Sequence, residues 1–412
     1  MRVRRLFAAL LVTTAACNDP SGPSDSAKRI TALPRALSSG EQAVISGSNA
    51  FGFALLRELD RTRADSNIFM SPLSASMALG MTMNGAAGQT FDEMRSALGF
   101  GSRSSSEINQ SYRALIDLLR GLDSKVDFRI ANSIWYRDGF PFESSFLTES
   151  QQFFDAKVAG LDFSVATAPS TINSWVSQST SGKIDAIIDG QIESDIVMYL
   201  VNAIYFNGSW TKKFDKAQTR NEPFTTVDGT TAPIMMMGRT GEVRVAQTAD
   251  VQVIDLAYGG DAYSMTILLP KTGRAIRDVV AGLTAESWQA AVANVTTTSV
   301  ELHVPKFTMK WAAKLNDPLK ALGMQQAFAE GGADFTRMSQ ARGRDLYISE
   351  VKQKSFVDVH EEGTEAAAVT SVGIGVTSAP AAIRVDRPFV FAIRERLSGT
   401  VLFLGKIVRP PV

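Results

Sequence analysis

Two histidines, His303 and His360, and a single cysteine, Cys17, are the only imidazole and thiol groups in this 412-residue chain. A zinc centre needs three or four ligands at suitable spacing. Neither a His-Glu-x-x-His run nor a cysteine pair is present, so no metal and no cofactor is expected. No Gly-x-Ser-x-Gly elbow points to an α/β-hydrolase. His303 lies in an apolar run closed by Pro305 and reads as structural. His360 stands beside Glu361 and Glu362 and reads as a solvated residue.

One pair of short motifs could carry acyl chemistry. Ser209-Trp-Thr-Lys212 has the Ser-x-x-Lys pattern of serine β-lactamases and penicillin-binding proteins, and Lys271-Thr-Gly273 has their Lys-Thr-Gly pattern. The Ser-Asp-Asn element that belongs between them is missing. Lys271 also follows Pro270, where a strand ends, although those enzymes carry this motif on a strand. A β-lactamase-like hydrolase is therefore a remote alternative, and the chain is not expected to be an enzyme.

A different kind of chemistry is written between Val357 and Phe391. A strand-like run ends at Gly363, and a dozen small or β-branched residues follow with one charge, Glu365. At period two, Thr364, Ala366, Ala368, Thr370, Val372 and Ile374 share one face, and Glu365, Ala367, Val369, Ser371 and Gly373 share the other. One face suits an apolar interior and the other suits water. No short turn joins the run to a partner strand. It is an exposed loop written in the code of a buried strand, and such a segment can change places.

The elements needed to hold this loop are legible around it. Phe51, Leu55 and Leu59 recur at helical spacing, with Ser48 or Asn49 as the expected cap. Ser71 caps and Pro72 opens a helix that ends near Asn84-Gly85. Ile108, Tyr112, Leu115, Ile116 and Leu119 mark another helix, and Leu319 to Phe328 a short one. Strands are expected over Phe128–Trp135, Ile196–Phe206, Met265–Pro270 and Leu302–Phe307. With no internal repeat and no Pro/Gly/Ser-rich break in 43–412, one large domain is the simplest reading.

Several of these segments together resemble the serpins, inhibitors of serine proteases. Asn67-Ile-Phe-Met-Ser71-Pro72, Gly85-Ala-Ala-Gly88-Gln-Thr90 and Asn202-Ala-Ile-Tyr-Phe-Asn207-Gly-Ser-Trp210 match in order and spacing. The resemblance implies an α+β serpin fold: one domain, a central mixed sheet, further antiparallel sheets, eight or nine helices and an exposed reactive-centre loop at about 363–385. Ile172 to Ile184 would lie across the front of the central sheet, and Val401–Pro410 would form a buried strand pair. Glu361, Glu362, Gly363, Thr364, Glu365, Ala366, Ala367 and Ala368 would be the hinge. Trp210 and Gln353 would lie where the sheet opens, Gln353 standing where many animal serpins have a histidine. Gly363 to Pro388 spans 25 residues, the same interval as in inhibitory serpins, and carrying over their reactive bond implies Thr377–Ser378, to within one residue. Val376 and Ile374 would tune specificity towards elastase-like targets, or else subtilisin-like ones. The implied partner is a serine protease, trapped covalently as the cleaved loop enters the sheet. The alternative is a non-inhibitory serpin that binds or chaperones.

Charge is balanced, 42 basic against 42 acidic residues, which argues against nucleic acid as a partner. No dense basic helical stripe suggests a polyanion cofactor. Residues 1–17 have the layout of a signal peptide, with a cationic start, an apolar core and Cys17 placed as in a lipoprotein box. Residues 18–42 read as a flexible tether and 43–412 as the body. The expectation is an exported monomer, lipid-anchored through Cys17 in a bacterial envelope or secreted.

Overall fold

The computed structural model describes residues 29–364 and 381–411. Among these, nine α-helices and fifteen strands follow one another along the chain. Helix α1 (Ser39–Thr62) leads to β1 (Ile68–Met70), then α2 (Pro72–Asn84), α3 (Gly88–Ala97) and α4 (Ser105–Arg120). Next come β2 (Val126–Arg137), α5 (Ser144–Phe154), β3 (Ala156–Leu161), α6 (Ala168–Ser179) and β4 (Met198–Ser209). Strands β5 (Arg220–Thr225), β6 (Thr231–Gln247), β7 (Val251–Tyr258) and β8 (Tyr263–Pro270) precede α7 (Ile276–Ala281) and α8 (Ala285–Ala293). The chain continues with β9 (Thr296–Pro305), β10 (Phe307–Lys314), α9 (Asn316–Ala321) and β11 (Lys352–Val359). It ends in β12 (Gly363–Thr364), β13 (Ala381–Arg384), β14 (Phe389–Glu395) and β15 (Val401–Ile407).

Nine strands make one large sheet, in the order β1-β15-β14-β8-β7-β6-β9-β13, with β5 joined to β6. Its strands are antiparallel except that β13 runs parallel to β9. Its centre is fully buried along β8, β14 and β15, whose mostly apolar side chains enclose a few polar ones, such as Arg394 and Lys406, that are paired inside. Phe69 stacks between Phe391 and Phe403, with centroids at 5.6 and 5.2 Å. A second sheet has the order β12-β4-β2-β3, and β10 and β11 form a separate pair. Helix α6 covers the outer face of β2 and β4 with its own small core of Trp135, Phe163, Ile172, Val176, Ile188 and Val201.

The start of the body differs from the sequence reading. Ser38, not Ser48 or Asn49, caps α1: its hydroxyl accepts from Glu41 N at 3.1 Å, and Glu41 accepts from Ser38 N at 2.8 Å. Asn49 sits inside the helix and bonds the backbone of Gly399 and Val401 instead. The tether therefore does not reach residue 42. Arg35 grips Glu41 with two nitrogens at 2.9 and 2.6 Å, and Ile30 N donates to Gly260 O at 2.8 Å. The Ile30–Gly260 bond joins residues far apart in sequence, so local composition could not announce it. The helix expected over Leu319–Phe328 is also shorter: α9 ends at Ala321, and a single 3₁₀ turn follows at Gln326–Phe328.

These two cap assignments separate cleanly by substitution. Ser38→Ala should lower stability by about 1 kcal/mol, seen as an earlier denaturation midpoint. Ser48→Ala should be neutral or slightly stabilising, because the Ser48 hydroxyl is buried without a hydrogen-bond partner.

Candidate functional site: the divided sheet and its hinge

Strands β4 and β11 face each other across a slot that no full strand fills among the described residues. Ile204, Tyr205 and Phe206 of β4 line one wall, and Phe356, Val357 and Asp358 of β11 line the other. Thr180, Lys183 and Ile184 close the outer side, and Thr364 stands at the top. Strand β4 pairs along its length with β2 but meets only Gly363 and Thr364 on its other edge. Strand β11 pairs only with β10. Two strand edges thus lie open to one another, which is a standing invitation to a new strand.

The hinge already occupies the mouth of this slot. After β11 the chain turns at His360–Gly363, with backbone bonds of 3.0 and 3.1 Å between those two residues. Gly363 then pairs with Ser209 and Thr364 with Gly208 in antiparallel register. Only glycine fits at 363: its φ is 154°, and a Cβ there would lie 2.2 Å from Gly208 O and 2.6 Å from Ser209 Cα. Thr364 is buried and shares a 2.7 Å hydrogen bond with the Tyr258 hydroxyl. Burial pushes the Tyr258 phenol well above its ordinary pKa, and the bond to Thr364 offsets this only in part, so it stays a neutral partner.

Trp210 holds the turn from the β4 side. Its ring stacks on Tyr258 with centroids 4.3 Å apart, and its Nε1 donates to His360 O at 2.8 Å. Its backbone N donates to Glu362 O, and Phe214 N donates to Glu361 O, both at 2.9 Å. The two hinge glutamates are clasped as well as turned. Glu361 accepts from Lys306 at 3.0 Å and from the Thr219 hydroxyl at 2.8 Å. Glu362 accepts from Lys216 at 2.5 Å through one oxygen, while its other oxygen is buried without a hydrogen-bond partner. Burial works to raise the Glu361 carboxyl, but its hydrogen bonds and Lys306 outweigh this and hold it below the usual range. Lys216 lowers Glu362 against the same opposition.

Further down the slot, α2 bridges both halves of the divided sheet. On the β11 side, Gln353 donates to Ser71 O at 3.0 Å and accepts from Ser71 N at 3.2 Å, and the Ser355 hydroxyl donates to Phe69 O. On the β4 side, Ser74 donates to Asn202, Asn202 to Asn132, and Asn132 to Phe154 O. Gln353 therefore does not share the hinge region with Trp210, as its position in the sequence suggested. It lies six residues below the end of β11, about 20 Å along the strand. The segment after α6 also ties across to the far half, with Asp185 to Lys310 at 3.2 Å and Asp189 to Lys352 and Lys354.

The remaining candidates fall elsewhere. His360 is half-buried rather than solvated, because its backbone is part of the hinge turn and its Nδ1 accepts from Glu362 N at 3.3 Å. His303 is buried between Glu222 and Glu301, its ring nitrogens 2.9 and 2.8 Å from their carboxylates. Glu222 also holds Arg384 of β13, so this histidine helps fix the C-terminal side of the loop. Lys212 pairs with Glu242 on the surface at 2.8 Å, and Lys271 follows β8, as expected for chance motifs. Glu365, Ala366, Ala367, Ala368, Ile374, Val376, Thr377, Ser378 and Cys17 lie outside the described residues. Sequence reasoning missed Tyr258, Thr219, Lys216 and Lys306, which come from three separate stretches of chain with no local motif.

The family model for serpins, described as serine protease inhibitors, matches residues 46–410, and the chain belongs to that family. An uncharacterized serpin-like protein of Thermococcus kodakarensis is 33% identical over 404 residues, covering 95% of this chain and 93% of that protein. The thermophilic serpin tengpin, in its native state, superposes with a TM-score of 0.81 at 30% identity, over 92% of this chain and 97% of its own. Human thyroxine-binding globulin in complex with thyroxine gives 0.82 at 29% identity, over 91% and 100%. The fold is thus shared by a family described as serine protease inhibitors and by a globulin that binds thyroxine.

Two outcomes follow from the clasp. Gly363→Ala should expel residues 363–364 from β4 and free the Tyr258–Thr364 bond, raising amide exchange at Gly208 and Ser209. Glu361→Gln should cost about 1 kcal/mol near neutral pH, the partly exposed Lys306 limiting the loss. A carboxyl held below its ordinary pKa stabilises above that value and stops doing so as pH falls through the lowered one. The difference in melting temperature between wild type and Glu361→Gln should therefore close below about pH 4.

Proposed function

We propose that the protein inhibits serine proteases by a one-use conformational trap. The observation that carries this reading is the slot between β4 and β11 with Gly363 and Thr364 already paired at its mouth. A protease attacks the loop as a substrate and forms its acyl-enzyme bond. Cleavage frees the N-terminal arm of the loop, which continues down the slot from Thr364 as a new strand. The inward face, Thr364, Ala366, Ala368, Thr370, Val372 and Ile374, is small or apolar throughout. Six such side chains at about 1–2 kcal/mol each supply on the order of 10 kcal/mol before entropy. That is comparable to the whole stability of many domains. The tethered protease is carried along and distorted before water releases it.

A carrier function like that of thyroxine-binding globulin is the second reading. The hinge supports inhibition over it, since a non-inserting loop has no need of uncharged small residues at 364, 366 and 368. We place the reactive bond at Thr377–Ser378, with Val376 and Ile374 selecting an elastase-like enzyme, and a subtilisin-like enzyme as the next choice. We further propose export of a monomer, held at a bacterial envelope by lipid on Cys17. No described helix is long and apolar enough to cross a membrane.

Incubation with pancreatic elastase should give a denaturant-resistant band at the summed mass and a released peptide that begins at Ser378. Cleavage without that band, and without a rise in the melting temperature of the cleaved product, would exclude insertion. Thr364→Arg and Ala366→Arg should each convert the protein from inhibitor to substrate, because a buried unpaired charge costs several kcal/mol. Trapping at wild-type stoichiometry by either variant would rule the mechanism out.

A further inference from the structure

The turn between β7 and β8, Tyr258 to Tyr263, stands directly behind the hinge. Tyr258 carries the Trp210 ring and the Thr364 hydroxyl. Gly259 N donates to Ser209 O at 2.8 Å, and the Thr211 hydroxyl donates to Gly259 O at 2.9 Å. The turn and the end of β4 are therefore one hydrogen-bonded unit. Within it, Asp261 has φ of 79°, a left-handed conformation that a residue other than glycine adopts only at a cost.

Three arginines hold Asp261 there. Arg244 and Arg396 reach its Oδ1 at 2.6 and 2.8 Å. Arg29 donates to its Oδ2 at 2.5 Å, and next to Arg29 the Ile30 N bonds Gly260 O at 2.8 Å. Arg244 and Arg396 are mostly buried and also face Asp255. Arg29 comes instead from the N-terminal arm, and its side chain is 64% exposed. The arm lies alongside the turn and grips both its backbone and its one strained side chain, three residues from Tyr258.

We propose that Arg29 is a positioning residue for the hinge: by holding Asp261 it fixes the turn that presents Tyr258 to Thr364 and Trp210. The functional weight of this assignment rests on the inhibitory reading, because the hinge matters most if the loop inserts. The contact chain runs from Arg29 through Asp261 and Gly260 to Tyr258, then to Thr364. Loosening the first link should loosen the last while leaving distant parts of the body intact.

The test uses the full chain and needs no protease. Amide hydrogen exchange is followed at 208–211 and 360–364, with 401–407 in β15 as the remote control. Arg29→Ala should speed exchange at both hinge segments by about threefold to tenfold with β15 unchanged. Arg29→Lys, which keeps the charge, should recover most of the protection. Asp261→Gly relieves the backbone but removes the ion pairs, and it should also speed exchange at the hinge. Unchanged hinge exchange in Arg29→Ala would mean that Arg244 and Arg396 hold the turn alone, and the proposal would fall. An equal rise in β15 would make Arg29 a general stabiliser and would overturn it too. Because no protease enters the measurement, loss of inhibitory trapping in a separate assay would count against the inhibitory reading alone.

Discussion

Everything in this molecule is arranged around hydrogen bonds that are not made. The edges of β4 and β11 present ladder groups to each other across a gap that only Gly363 and Thr364 enter among the described residues. Backbone polar groups are normally paired, so the gap is a standing deficit that the rest of the fold must hold open. Helix α2 does this from below by reaching into both halves through Ser71 and Ser74. The segment after α6 does it from outside by crossing from one half to the other. The hinge does it from the top with the first two residues of a strand that goes no further among the described residues.

In the insertion mechanism proposed above, the hinge must be stable enough to wait and weak enough to yield. Its chemistry reflects both demands. Gly363 and Thr364 enter the sheet with a normal register, so growth of the strand needs no rearrangement at its start. Glu361 and Glu362 hold the turn through lysines whose ammonium groups are largely exposed. Such pairs contribute modestly and are screened by salt. The aromatic stack of Trp210 on Tyr258 is the firmer support, because it is buried and does not depend on charge.

The sequence displayed the parts of this device but not its joints. Trp210 was legible because it closes a strand within a long specific motif, and Gly363 because the residue code changes there. The serpin fold followed from motifs in the right order and spacing. Ser38 was not found as a cap because Ser48 sits closer to the obvious apolar repeat, and the deciding bond is made by Glu41. Gln353 was placed by counting from Glu361, which locates it along β11 but not against α2. Lys216 and Thr219, Tyr258, and Lys306 meet at the hinge from three stretches of chain, and no periodicity encodes such a meeting. His360 looked solvated because the turn it belongs to is closed by residues distant in sequence.

The first described residues bear on how the molecule would be oriented. Arg29 and Ile30 leave the body at the turn behind Trp210, at the same pole as the hinge. The chain upstream of Arg29 therefore joins the body at that pole. From Cys17 to Arg29 the chain can span at most about 40 Å, by fully extended geometry. A surface that held Cys17 would thus keep the working end of the molecule within about one body-width of itself.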